Sequence, residues 1–195
     1  MLNLGFLSSH SGSNVQAIID NVASGKLRAN LCALVSNNSH AFVLERAKKA
    51  NIPAFHISSH NYADPEKKII EVFNEHNVNT VILAGYMKKV SADLIHNFSN
   101  RVLNIHPALL PKFGGEGMFG SNVHKAVIEA GEKISGATIH LVTPNYDDGK
   151  ILNQMTVPVL DNDTPETLAK RVLEIEHILY TDTLIKIANG EILIP

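Results

Sequence analysis

The sequence predicts a single three-layer α/β domain with a mostly parallel sheet and a late antiparallel strand, on two observations. Short apolar runs alternate with helix-periodic stretches of roughly ten residues, the pattern of βαβ units. From Gly136 that alternation gives way to two strand-like runs joined by a polar turn.

The elements follow in order. Residues 1–7 read as a strand, and Val15, Ile18, Ile19 and Val22 then recur at helical spacing until Gly25 closes the helix. Leu31 to Val35 is a second apolar run, followed by a helix around 41–50, a short strand near 54–57 and a helix around 66–76. Thr80 to Ala84 reads as a buried strand, 91–98 as a helix and Arg101 to Ile105 as a further strand. Thr138 to Val142 and Ile151 to Val159 are the two late strands, separated by Pro144-Asn145-Tyr146-Asp147-Asp148-Gly149. Thr164 as N-cap and Pro165 at the first helical position open a long closing helix striped by Leu168, Val172, Ile175 and Leu179. No repeat, low-complexity tract or interdomain linker interrupts residues 1–195.

At 195 residues and 45% hydrophobic content, the chain can bury one substantial core. Its 17 basic and 19 acidic residues are dispersed, which argues against nucleic acid or an anionic membrane as partner. Cys32, the only cysteine, lies in an apolar run and is expected to be an inert buried thiol in a reducing compartment, the cytoplasm. The first residues lack the basic start of a signal peptide, and no apolar span reaches the length of a membrane helix.

Two places suggest chemistry. Ser8-Ser9-His10-Ser11-Gly12-Ser13-Asn14 lies between a strand and a helix N-terminus, where free N–H groups and the helix dipole favour an anion such as phosphate. A dinucleotide is disfavoured, because the loop has one glycine and Ser36-Asn37-Asn38 supplies no acidic residue for a ribose. Ser11 or Ser13 serving only as a helix cap is the plainer alternative. Asn104 and His106 stand two apart at a strand end, so both side chains share a face where ligands of such sheets bind. A buried Asn-His pair satisfying loop backbone is the competing reading. Asp147 sits in a polar turn, and spacing alone does not join it to the pair.

A resemblance joins them. Leu83-Ala84-Gly85-Tyr86-Met87, Asn104-Ile105-His106-Pro107-Ala108-Leu109-Leu110-Pro111, Gly136-Ala137-Thr138-Ile139-His140-Leu141-Val142 and Tyr146-Asp147-Asp148-Gly149 resemble, in order and nearly end to end, motifs of the folate-dependent formyltransferases. The likeness is greatest to the branch of purine biosynthesis whose acceptor is the amine of glycinamide ribonucleotide. It implies a Rossmann-like sheet of formyltransferase type, 10-formyltetrahydrofolate as co-substrate, no metal, small-molecule partners only, and a monomer or homodimer.

The resemblance also implies residue roles. Asn104, His106 and Asp147 become the catalytic unit. Because the acceptor's own amine is the nucleophile, the protein needs donors for a developing oxyanion, namely Asn104 and a protonated His106 whose charge Asp147 favours, and Asp147 through a water carries the proton from the amine to the departing folate nitrogen. Gly12, Ser13 and Asn14 take the substrate phosphate, and Glu176 contacts the ribonucleotide. It lies roughly 40° beyond Val172 on the closing helix, at the margin of the apolar stripe. Met87, Lys88, Lys89 and Val90, with Asn104 and backbone near Val142 and Thr143, line the folate pocket.

Two departures from the family pattern stand out. Lys88 replaces the Arg of many relatives, removing a planar guanidinium contact. Residues 112–121 form a longer, glycine-rich stretch, with four glycines at 114, 115, 117 and 120, which suggests either a lid over the site or an ordinary flexible loop. His140 fits either a partner of the carboxylate or a satisfied core histidine. His56 and His60 lack a third ligand and a regular helix between them. Other readings are formyltetrahydrofolate hydrolase, formyl transfer to another amine, and a non-catalytic phosphate-ligand sensor. The hydrolase and the RNA-dependent relatives carry an extra domain that 1–195 does not contain.

Overall fold

The computed structural model describes residues 1–195. Its sheet has seven strands: β1 (Leu2–Leu7), β2 (Ala29–Ser36), β3 (Ala54–His56), β4 (Thr80–Leu83), β5 (Val102–His106), β6 (Ile134–Leu141) and β7 (Ile151–Pro158). The helices are α1 (Ser13–Ala23), α2 (Phe42–Lys49), α3 (Pro65–Glu75), α4 (Ala92–Asn97), α5 (Ser121–Glu129) and α6 (Pro165–Ala188). Strand order is β3-β2-β1-β4-β5-β6-β7, with β1 to β5 parallel and β6 antiparallel to both neighbours. The order reverses between β1 and β4, the crevice where sheets of this kind bind ligands.

Strand alternation divides the core. Leu4, Phe6, Ile82, Leu103, Ile105 and Ile139 pack under α1, α2, α5 and α6, while Leu7, Val35, Val81, Leu83 and Val102 pack under α3 and α4. Thr164 caps α6 in a reciprocal capping box with Thr167, and Pro165 occupies its first turn, as the sequence predicts.

Three expectations need correction. Helix α5 was not anticipated, because its buried face, Val123, His124 and Val127, follows the glycine-rich segment and contains a polar residue. Strand β6 starts at Ile134, four residues early, since Ser135 and Gly136 pair with Val157 and Thr156 on β7. Cys32 is only half-buried, its Sγ 3.7 Å from the Asn30 carbonyl, with its pKa raised by partial burial.

Candidate active site

The loop from Ser8 to Asn14 is held open by its own geometry. Gly12 takes φ +69° at the N-cap of α1, and no side chain caps the helix, so neither Ser11 nor Ser13 plays that role. A Cβ at Gly12 would run into the Val43 side chain, so glycine serves both the left-handed turn and the close approach of α2. The loop carbonyls are occupied. Ser9 O accepts from Asn38 Nδ2 at 3.3 Å, His10 O from the Val43 N–H at 3.2 Å, Ser11 O from Arg46 Nε at 2.7 Å and Gly12 O from the Gln16 N–H at 2.9 Å. The N–H groups of Gly12, Ser13 and Asn14 remain at the mouth of the helix, ready for an anion.

Asn104 and His106 end β5, and antiparallel pairing sets Asn104 directly opposite His140 and His106 opposite Thr138. His140 Nδ1–H donates to the Leu141 carbonyl at 2.9 Å, so its Nε2 accepts from Asn104 Nδ2 at 3.1 Å. That contact fixes the Asn104 carboxamide with its second N–H free. Of the two roles the sequence allows His140, the structure favours partner of the site.

Asp147 enters from the β6–β7 loop in the left-handed region at φ +53°, which a short Asp tolerates. The crossing is tight at Gly149, where the Leu141 carbonyl fills the space of a Cβ. Asp147 Oδ2 lies 3.5 Å from His106 Nδ1 and accepts from the Gly115 N–H at 3.0 Å, while Oδ1 lies 3.5 Å from His140 Nε2. Burial alone would raise its pKa, but the positive charge that His140 and His106 take up when protonated, together with the Gly115 N–H, outweighs that and holds the carboxyl below its ordinary range.

Burial lowers the pKa of His106, and Asp147 and the Phe113 carbonyl offset this only in part, so the surroundings favour the neutral imidazole. Its Nε2–H donates to Phe113 O at 2.8 Å, leaving the Nδ1 lone pair toward Asp147. Phe113 is itself left-handed, at φ +56°, an uncommon state for a bulky residue.

These groups open onto one cavity of about 720 Å³, within the usual range for small-molecule sites. Gly12, Ser13, Asn14, Met87, Lys88, Lys89, Asn104, His106, Asp147 and Glu176 all line it. Glu176 is buried and accepts from Asn14 Nδ2 at 2.7 Å; burial raises its pKa to about 7, against which that hydrogen bond works only weakly. Of the folate-side candidates, Val90 does not line this cavity and is buried with Leu83, Leu94 and Val102 behind the wall, and the Val142 side chain packs against the same cluster. Sequence reasoning missed Tyr146, which also lines the cavity and carries Lys89 Nζ 5.2 Å from its ring centroid. The 112–121 stretch supplies a wall: Gly115 through Gly120 line the cavity, Phe113 touches His106 and Gly115 touches Asp147.

Known proteins resemble this chain in sequence and in fold. The family model described as formyl transferase matches residues 2–184. A chloroplastic phosphoribosylglycinamide formyltransferase of Arabidopsis thaliana is 42% identical over 185 residues, 93% of this chain and 63% of that protein. A trifunctional purine biosynthetic protein adenosine-3 of Chironomus tentans is 39% identical over 96% of this chain and 14% of its own length. The chain thus spans less than two thirds of these curated relatives. Among solved structures, glycinamide ribonucleotide transformylase 1 from Symbiobacterium toebii superposes with a TM-score of 0.93 at 36% identity, covering 100% of this chain and 91% of that one. The chain belongs to the formyl transferase family.

Proposed function

We propose that this protein transfers the formyl group of 10-formyltetrahydrofolate to the primary amine of glycinamide ribonucleotide, a step of purine biosynthesis in the cytoplasm. One observation carries the reading: the anion loop at Gly12 to Asn14 and the polar group Asn104, His106 and Asp147 face a single cavity, with Glu176 lining it as well. The names of the Arabidopsis and Symbiobacterium relatives point the same way.

The loop N–H groups hold the acceptor phosphate, and Glu176 with Asn14 receives its ribose. The segment Met87 to Lys89, faced by Tyr146, takes the folate, which supplies the activated formyl carbon. As the amine nitrogen bonds to that carbon, its proton passes to His106 Nδ1, the free nitrogen beside Asp147. The imidazolium so formed is stabilised by the carboxylate. Its charge and the free Asn104 N–H support the oxyanion of the tetrahedral intermediate. When the carbon–nitrogen bond to folate breaks, the proton moves from His106 to the departing nitrogen. The lowered pKa of His106 suits this cycle, since it favours the neutral form that begins as the acceptor.

An absorbance assay following loss of 10-formyltetrahydrofolate tests the proposal. Turnover that requires glycinamide ribonucleotide supports transfer. Turnover without it indicates a hydrolase, and binding without turnover a sensor.

A further inference from the structure

Arg46 stands behind the anion loop, outside the residues that line the cavity, in the last turn of α2. Its Nε–H donates to Ser11 O at 2.7 Å and one terminal N–H to Gln16 Oε1 at 2.9 Å, so one guanidinium spans the loop and the first turn of α1. The Phe42 ring packs 4.9 Å from its central carbon and helps fix the plane.

The consequence follows from the peptide unit. In a trans peptide the carbonyl of one residue and the N–H of the next point in opposite directions. Drawing Ser11 O toward Arg46 therefore turns the Gly12 N–H away from α2, and Ser11 and Gly12 both line the cavity. The Val43 N–H does the same to His10 O through α2 backbone, which no side-chain change removes. Arg46 is the only side chain that holds Ser11 O, and it places a fixed positive charge behind a cradle made of partial ones.

We infer that Arg46 is a positioning residue that makes the site selective for a phosphorylated acceptor. It orients the Gly12 N–H toward the phosphate and adds long-range attraction for a dianion. The inference rests on the reading of Gly12, Ser13 and Asn14 as the phosphate cradle. A planar fork suits the task because it reaches two acceptors at once, whereas a lysine offers a point charge on a flexible stem.

The test compares wild type, Arg46→Met and Arg46→Lys with two acceptors, glycinamide ribonucleotide and its dephosphorylated riboside, and with inorganic phosphate as competitor. Arg46→Met is expected to raise the KM for the ribonucleotide and the inhibition constant for phosphate by about tenfold, the scale of a lost charge-assisted hydrogen bond. The kcat at saturation and kcat/KM for the riboside stay near wild type, and Arg46→Lys falls between. A ribonucleotide KM in Arg46→Met within about threefold of wild type, inside the spread of an ordinary surface substitution, overturns the inference. So does an equal loss for both acceptors, which marks a merely structural residue. Wild type that does not prefer the ribonucleotide and is not inhibited by phosphate instead refutes the phosphate reading, and the inference falls with it.

Discussion

Glu176 offers a sharp thermodynamic test, because a carboxyl buried on α6 with one neutral hydrogen-bond donor should oppose folding when it ionises. Its pKa rises from 4.5 to about 7 on folding, with burial as the main cause. The sign follows from proton linkage. A raised folded pKa means that the stability present below pH 4.5 is lost as pH rises toward 7, and the loss is complete above that. At about 1.4 kcal/mol per pH unit, the penalty approaches about 3 kcal/mol above neutrality and falls to about 1 kcal/mol near pH 5. Glu176→Gln keeps an oxygen for Asn14 Nδ2 and removes the ionisation. The amide carries its own cost, but that cost does not vary with pH. Urea unfolding of both proteins near pH 5 and near pH 8.5 therefore isolates the effect. The stability of Glu176→Gln relative to wild type should rise by about 2 kcal/mol between the two conditions. A difference constant to within about 0.5 kcal/mol would show that the carboxyl is solvated or differently paired, and would refute the reasoning.

Three further outcomes are expected. Asn104→Ala and His106→Ala should each lose about a hundred- to a thousand-fold in kcat, roughly 3 to 4 kcal/mol of transition-state stabilisation, with circular dichroism unchanged; near wild-type turnover in either removes it from the catalytic unit. Asp147→Asn should lower the His106 pKa further, since the carboxylate is the main group raising it, so the acid limb of kcat/KM and the imidazole NMR titration both move to lower pH. A limb that stays in place would mean His106 is not the titrating group. Gly149→Ala puts a methyl into the Leu141 carbonyl and should displace the turn bearing Asp147, at a cost of about 1 to 3 kcal/mol in thermal unfolding. Its loss of turnover should exceed what that stability change explains.

The sequence carried most of the fold because its strands are buried and short, bounded by helices with regular stripes, and the closing helix announces itself with Thr164 and Pro165. Helix α5 was illegible because four glycines precede it and His124 interrupts its apolar face. At the site, the shared orientation of Asn104 and His106 followed from period-two geometry alone. Asp147 did not, since its approach depends on a loop folding back through Gly149, and only motif resemblance connected it. The part played by His140 depended on register across β5 and β6, which no local pattern reveals. The resting protonation of His106 was open for a related reason: the neighbouring carboxylate is visible in sequence, but the depth of burial that outweighs it is not. Arg46 left no signal, being one of several cations on an ordinary amphipathic helix.

The reversal of direction at β6 has a dynamic consequence. Asn104 and His140 are anchored in adjacent ladders of the central sheet, whose amides exchange with solvent only when large parts of the molecule open. Asp147 and Gly115 belong to loops tied to them by a few hydrogen bonds, and can relax on a faster timescale. The Asn104 carboxamide proposed to hold the oxyanion is therefore built on rigid scaffold, while the carboxylate proposed to tune His106 is built on compliant backbone. The pKa of His106 can thus follow what fills the cavity without disturbing the geometry of Asn104.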